Sequence, residues 1–231
     1  MLFSDVTVVP MDEERILEHR DVLVRSGLIE SVTEASARPP PAGARIVDGR
    51  GLFLAPGLCD FHVHLYDVEG FVSYLSYGVT SVLDLDGEPW MLAAREEVRS
   101  GKRLGPALYV AGPTINGYPP GNPRFVAVET DSEARAAVRA EAASGFDVIK
   151  LYSGLSAAAW TAAAGEARDQ KLSVVGHVAW DVGIARALAG GQAAIVHAEE
   201  LQGWFRAAPD EASIRALTQQ SPRAWQAELW R

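Results

Sequence analysis

Cysteine is almost missing from this chain: Cys59 is the only one in 231 residues. A single thiol excludes an intrachain disulfide and fits a reducing compartment. Long apolar runs are missing as well. No stretch reaches the ~18 residues that a spanning helix needs. Residues 1–15 have neither a basic n-region nor an apolar run long enough for a secretory signal. We therefore expect a cytoplasmic protein with no membrane partner. Positive charge is in deficit, with 21 Lys and Arg against 30 Asp and Glu and a formal net charge of −9. Such a chain does not suit a phosphate backbone, so nucleic acid is not an expected partner. No glycine-rich loop has phosphate-binding spacing. What is present, 48% hydrophobic and 22% charged residues, is the composition of an ordinary globular protein and excludes collagen-like or wholly disordered chains.

The chain opens with strand patterns. Residues 3–9 alternate apolar and polar, and residues 21–24 form a second short run. Ser26-Gly27 is a turn signal, with residues 28–32 as the second arm of a hairpin. Pro39, Pro40 and Pro41 make a stiff connector, and extended structure resumes around the Asp48-Gly49 turn. Residues 1–55 thus read as a small β module. From residue 56 short apolar runs alternate with helix-length segments. The strand candidates are 57–64, 79–85, 107–111, 148–152, 173–177 and 193–197. Pro89 opens one helix, Asp131 and Ser156 are expected to cap two more, and Asp181 a fourth. This alternation implies a parallel sheet, either open and doubly wound or a (β/α)8 barrel. A full barrel takes about 250 residues, so residues 56–231 have room for roughly six units.

Four of the five histidines fall at predicted strand ends. His62 and His64 form a His-x-His pair, and alternation along a strand turns both to one face. His177 and His197 close later strands. Barrel enzymes build their sites at strand C-termini, and imidazole is a common metal ligand. One such histidine alone is more often a hydrogen-bonded core or surface residue; four together read as a metal cluster. Lys150 ends another strand after Val148 and Ile149. A protonated lysine there would be repelled by bound cations, whereas a lysine carbamate would supply two anionic oxygens able to bridge two ions. The plain alternative is a lysine snorkelling at a strand end.

The residues Asp48-Gly49, the run from Ala55 to His64 ending in His-Val-His, Val148 to Tyr152, Val174 to His177, and Ile195 to Glu200 together resemble the amidohydrolase superfamily. Gly78 to Leu85 is similar to its second strand. The nearest flavour is the imidazolonepropionase and Xaa-Pro dipeptidase-like group. The resemblance implies an α/β fold: an incomplete TIM-like barrel of about six units over residues 56–231, apparently truncated after the sixth strand, with residues 1–55 forming part of a β-sandwich. It implies two divalent metal ions, zinc first, held by His62, His64, His177, His197 and a carbamylated Lys150. A metal-bridging hydroxide would then hydrolyse a carbon–nitrogen bond in a lactam, a non-peptide amide or a dipeptide. Metal-bound water loses its proton near pH ~7.

The pattern is incomplete. The family's aspartate after the eighth strand is absent, so no catalytic acid–base residue is assigned. Asp60 lies too deep to replace it, and Asp84 and Asp86, near the second strand end, read either as groups supporting the site or, in preference, as turn or capping residues. A truncated or frameshifted product, a fragment, and a short variant that self-associates all fit. The alternative function is a catalytically inert metal-binding remnant or interaction module. A third reading is an open doubly wound protein with coincidental histidines. Tyr118, in the loop 112–123, and Tyr152 are candidate contacts for a small-molecule substrate. Glu199 and Glu200 read as a solvated pair in preference to one of them supporting His197, Trp204 and Phe205 as a pocket wall or packing, Cys59 as a buried structural thiol, and His19 as solvated.

Overall fold

The computed structural model describes residues 1–198 and residue 200. Glu199, Trp204 and Phe205 lie outside the described residues. Two compact units divide the chain, Met1–Leu58 and Cys59–Arg231.

The first unit is one mixed sheet. Strands β1 (Leu2–Val8), β2 (Leu17–Arg25), β3 (Leu28–Glu34), β4 (Ile46–Asp48) and β5 (Phe53–Leu54) pair in the order β3-β2-β1-β4, with β5 also on β1. The β2–β3 hairpin turns through Ser26 (φ 50°) and Gly27 (φ 78°), the two consecutive positive φ values of a tight type I′ turn. Leu2, Val6 and Val22 supply its buried apolar residues.

The second unit alternates strands and helices. Its elements are β6 (Leu58–Val63), α1 (Phe71–Ser76), β7 (Val79–Asp84), α2 (Pro89–Arg99), β8 (Ala107–Val110), β9 (Ile115–Asn116), β10 (Val126–Ala127), α3 (Asp131–Ser144), β11 (Val148–Leu151), α4 (Ala157–Asp169), β12 (Ser173–Gly176), α5 (Ile184–Ala189) and β13 (Gln192–Ile195). One sheet runs β6-β7-β8 and another β10-β9-β11-β12-β13. A parallel bridge between Ala111 and Val148 joins them. The long strands therefore follow one another in space as they do in sequence, with β6 and β13 at the ends of the series. This is a mixed α/β architecture. One apolar cluster packs α3 and α4, including Trp160 and Val138, onto Ile149 and Leu151. A second gathers Phe71, Val82, Met91 and Val110 around β6 to β8. None of the helices among the described residues is long and apolar enough to cross a membrane.

Three local expectations change. Thr130, not Asp131, caps α3: its hydroxyl accepts the Glu133 N–H and the Glu133 carboxylate accepts the Thr130 N–H, a reciprocal capping box. Gly183 precedes α5 and no side chain caps it, so Asp181 does not serve there. Cys59 is exposed rather than buried, because the first residues of β6 are uncovered. Ser156 caps α4 as expected, accepting the Ala159 N–H at 3.2 Å.

Candidate active site

The strand ends bring the four imidazoles together. His62 sits 5.2 Å from His64 and 4.7 Å from His197, centroid to centroid, and His177 lies 4.9 Å from His197. The Tyr152 ring packs tilted against His177 at 4.0 Å, and Phe125 meets Tyr152 edge-on. Alternation along β6 aims His62 and His64 the same way. Asp84, fully buried at the end of β7, accepts the Leu65 N–H at 2.6 Å and the Asp86 N–H at 2.8 Å. It thereby fixes the chain that carries His64. Burial raises the Asp84 carboxyl against the pull of those two bonds. Gly176 precedes His177 with φ 132°. A Cβ there would overlap the Leu151 carbonyl, so only glycine lets β12 approach β11 at this point. His197 itself takes φ 66°, a left-handed conformation uncommon outside glycine that is concentrated at functional sites.

A cavity of about 230 Å³ opens among these strand ends. Its wall includes His64, His177, His197, Lys150, Tyr152, Asp86, Thr114 and Arg124. Lys150 is 3% exposed. Burial pulls its amine down to about 8, while Asp86, Asp84 and Glu200 work in the opposite direction. His62 is lowered to about 4, first by burial, then by the positive charge of Lys150 and by the neighbouring imidazoles. Tyr152 is raised by burial and by Glu200. Tyr118 is 71% exposed and is not part of this cavity wall, whereas Tyr152 is.

The metal expectation is corrected here. Among the described residues no group of three or more His, Cys, Asp or Glu side chains is arranged to hold a metal ion. The rings meet edge-on or tilted, at 51° to 67° between planes. His177 Nδ1 is engaged by Glu200 Oε1 at 2.6 Å. A carbamylated Lys150 fits no better. It would add a further anion beside Asp84, Asp86 and Glu200, whereas the ammonium gains from all three. The zinc ions, the binuclear centre, the carbamylated lysine and the metal-bridging hydroxide are accordingly not supported, and with them falls the metal-binding remnant.

Arg124 and Thr114 were not assigned by the sequence, and Asp86 and Glu200 were read in preference as a turn residue and a solvated one. Glu200 is buried against His177 rather than solvated. Asp86 pairs with Arg124 at 2.5 Å, and Thr114 reaches Asp86 at 3.5 Å. The Ile195 to Glu200 run offered a weak signal for Glu200; nothing local marks Arg124.

No model of a known protein family matches the chain. A dihydroorotase from Desulforapulum autotrophicum is 42% identical over 55 residues, 24% of this chain and 13% of that protein. A solved structure described as a candidate prolidase from Bifidobacterium longum superposes with a TM-score of 0.76 at 27% identity, covering 90% of this chain and 57% of that one. The structure of an amidohydrolase superposes with a TM-score of 0.72 at 24% identity, covering 89% of this chain and 63% of that one. The chain thus spans less than two thirds of the solved relatives it matches. Over the part it spans, the chain shares the fold of these amidohydrolase-type structures.

Proposed function

We propose that the chain carries the site of a hydrolase of the Xaa-Pro dipeptidase-like group, with His177 as the base that activates water. The observation behind this reading is the buried His177–Glu200 pair at 2.6 Å on the wall of the strand-end cavity. Glu200 accepts the Nδ1–H and fixes the ring, which leaves Nε2 to take a proton from water. The Lys150 ammonium is the group placed to offset negative charge on an attacked carbonyl oxygen. His64 and His197 complete the wall, and Tyr152 holds His177 by packing against it. In the same reading, residues 1–55 are a β module and 56–231 the hydrolase body, an open portion of a (β/α)8 barrel; the substrate is a small molecule.

The test is turnover of Xaa-Pro dipeptides by the purified chain and by His177→Gln and Glu200→Gln. Positioned base catalysis typically contributes roughly 10²–10⁴-fold. We expect a loss of that order for His177→Gln and a smaller one for Glu200→Gln, with unchanged far-UV circular dichroism. Hydrolysis at the unmodified rate in both variants would sink the assignment.

A further inference from the structure

Arg124 lies in the loop between β9 and β10 and reaches into the cavity wall. Its guanidinium is held from two sides, by Asp86 at 2.5 Å and Glu88 at 3.2 Å, yet it stays half-exposed. These bonds leave several of its N–H donors unengaged among the described residues. Asp86 is the one carboxylate among the described residues that line the cavity, and it is already taken by Arg124. The rest of the polar wall consists of donors or groups that can donate: the Lys150 ammonium, the Tyr152 hydroxyl, the Asn122 amide and imidazoles. The cavity thus offers an entering anion the Lys150 ammonium and the unengaged N–H donors of Arg124. A guanidinium fixed in advance by carboxylates loses little side-chain freedom on binding and presents a planar fork suited to a two-oxygen anion.

Resting on the hydrolase reading above, we propose that Arg124 anchors an anionic oxygen group of the substrate, a carboxylate or a phosphate, and so restricts the cavity to small anions. Asp86 and Glu88 act as positioning residues for it.

Equilibrium binding to the full chain tests this without turnover, using N-acetylglycine, N-acetylglycinamide and inorganic phosphate as probes. The wild-type chain should bind N-acetylglycine or phosphate at least about tenfold more tightly than the amide. Arg124→Met should abolish that preference and Arg124→Lys should restore part of it. Preference for N-acetylglycine over phosphate assigns a carboxylate, and the reverse assigns a phosphoryl group. Equal binding of acid and amide by the wild-type chain, or no saturable binding of either anion at tens of millimolar, overturns the proposal. That comparison needs no variant, so a misfolded Arg124→Met leaves it decisive. Full preference in a folded Arg124→Met overturns it too. Anion-selective binding without dipeptide hydrolysis would remove the hydrolase reading and leave the anchor standing. Where hydrolysis is seen, Arg124→Met should raise KM more than it lowers kcat.

Discussion

Glu141 lies on the apolar stripe of α3 with Ala134 and Val138. It is 4% exposed, and neither carboxylate oxygen has a hydrogen-bond partner. Burial pushes the carboxyl from 4.5 up to about 9. The folded chain therefore holds a proton there that the unfolded chain releases. The resulting stability is complete below pH 4.5 and is lost steadily as the pH rises towards 9. Glu141→Gln should flatten that decline and gain about 1–3 kcal/mol near neutral pH. Urea unfolding at acidic, neutral and alkaline pH checks this, and parallel slopes in both proteins would refute it. Gly112 belongs to the same contact, because a Cβ there would overlap the Glu141 carboxylate. Gly112→Ala should cost about 1–3 kcal/mol, and the Gly112→Ala/Glu141→Ala pair should recover part of it. Strict additivity in that double-mutant cycle would mean the two side chains do not meet. At this scale the sequence showed which residues stand at strand ends, since alternation alone turns His62 and His64 together. It did not show what surrounds them. The Glu200 carboxylate could be read as solvated because its partner, His177, is 23 residues away.

The elements carry the site through their ends. The capping box at Thr130 and Glu133 fixes the start of α3, and α3 covers β11, the strand that bears Lys150. Thr130→Ala should destabilise the chain by about 1 kcal/mol, read as a lower midpoint in thermal unfolding without change in the cavity's anion preference. An unchanged midpoint would show that the cap is dispensable. The long strands were legible from their apolar runs, and most end within a residue or two of expectation. The box stands in the sequence as Thr130-Asp131-Ser132-Glu133, but Asp131 was the expected cap, and the backbone geometry selects the residue before it. Three elements escaped. Helix α1, Phe71–Ser76, is too short to show a period, and β9 and β10 are two-residue strands inside what reads as a plain loop.

For the whole molecule, the absence of a ligand cluster among the described residues has a direct consequence. A bound metal stabilises the folded state by mass action. Exhaustive dialysis against EDTA is expected to leave the melting temperature within about 1 °C of its starting value. A fall of several degrees, reversed by added zinc, would return the imidazoles to ligand duty. By itself the sequence determined the alternation of strands and helices, the separate β-rich start, and the gathering of His62, His64, Lys150, His177 and His197 at strand ends. All of these follow from local periodicity and from the direction of the chain. Only the tertiary structure decided what the gathering is. The tilt of each ring, the carboxylates around Lys150, the burial of Glu200 and the Arg124–Asp86 pair, 38 residues apart, depend on groups that approach one another through folding. Burial then sets the charge states, raising Asp84 and lowering Lys150 and His62, because the cost of holding charge away from water is a property of the packed interior and not of any local stretch of chain.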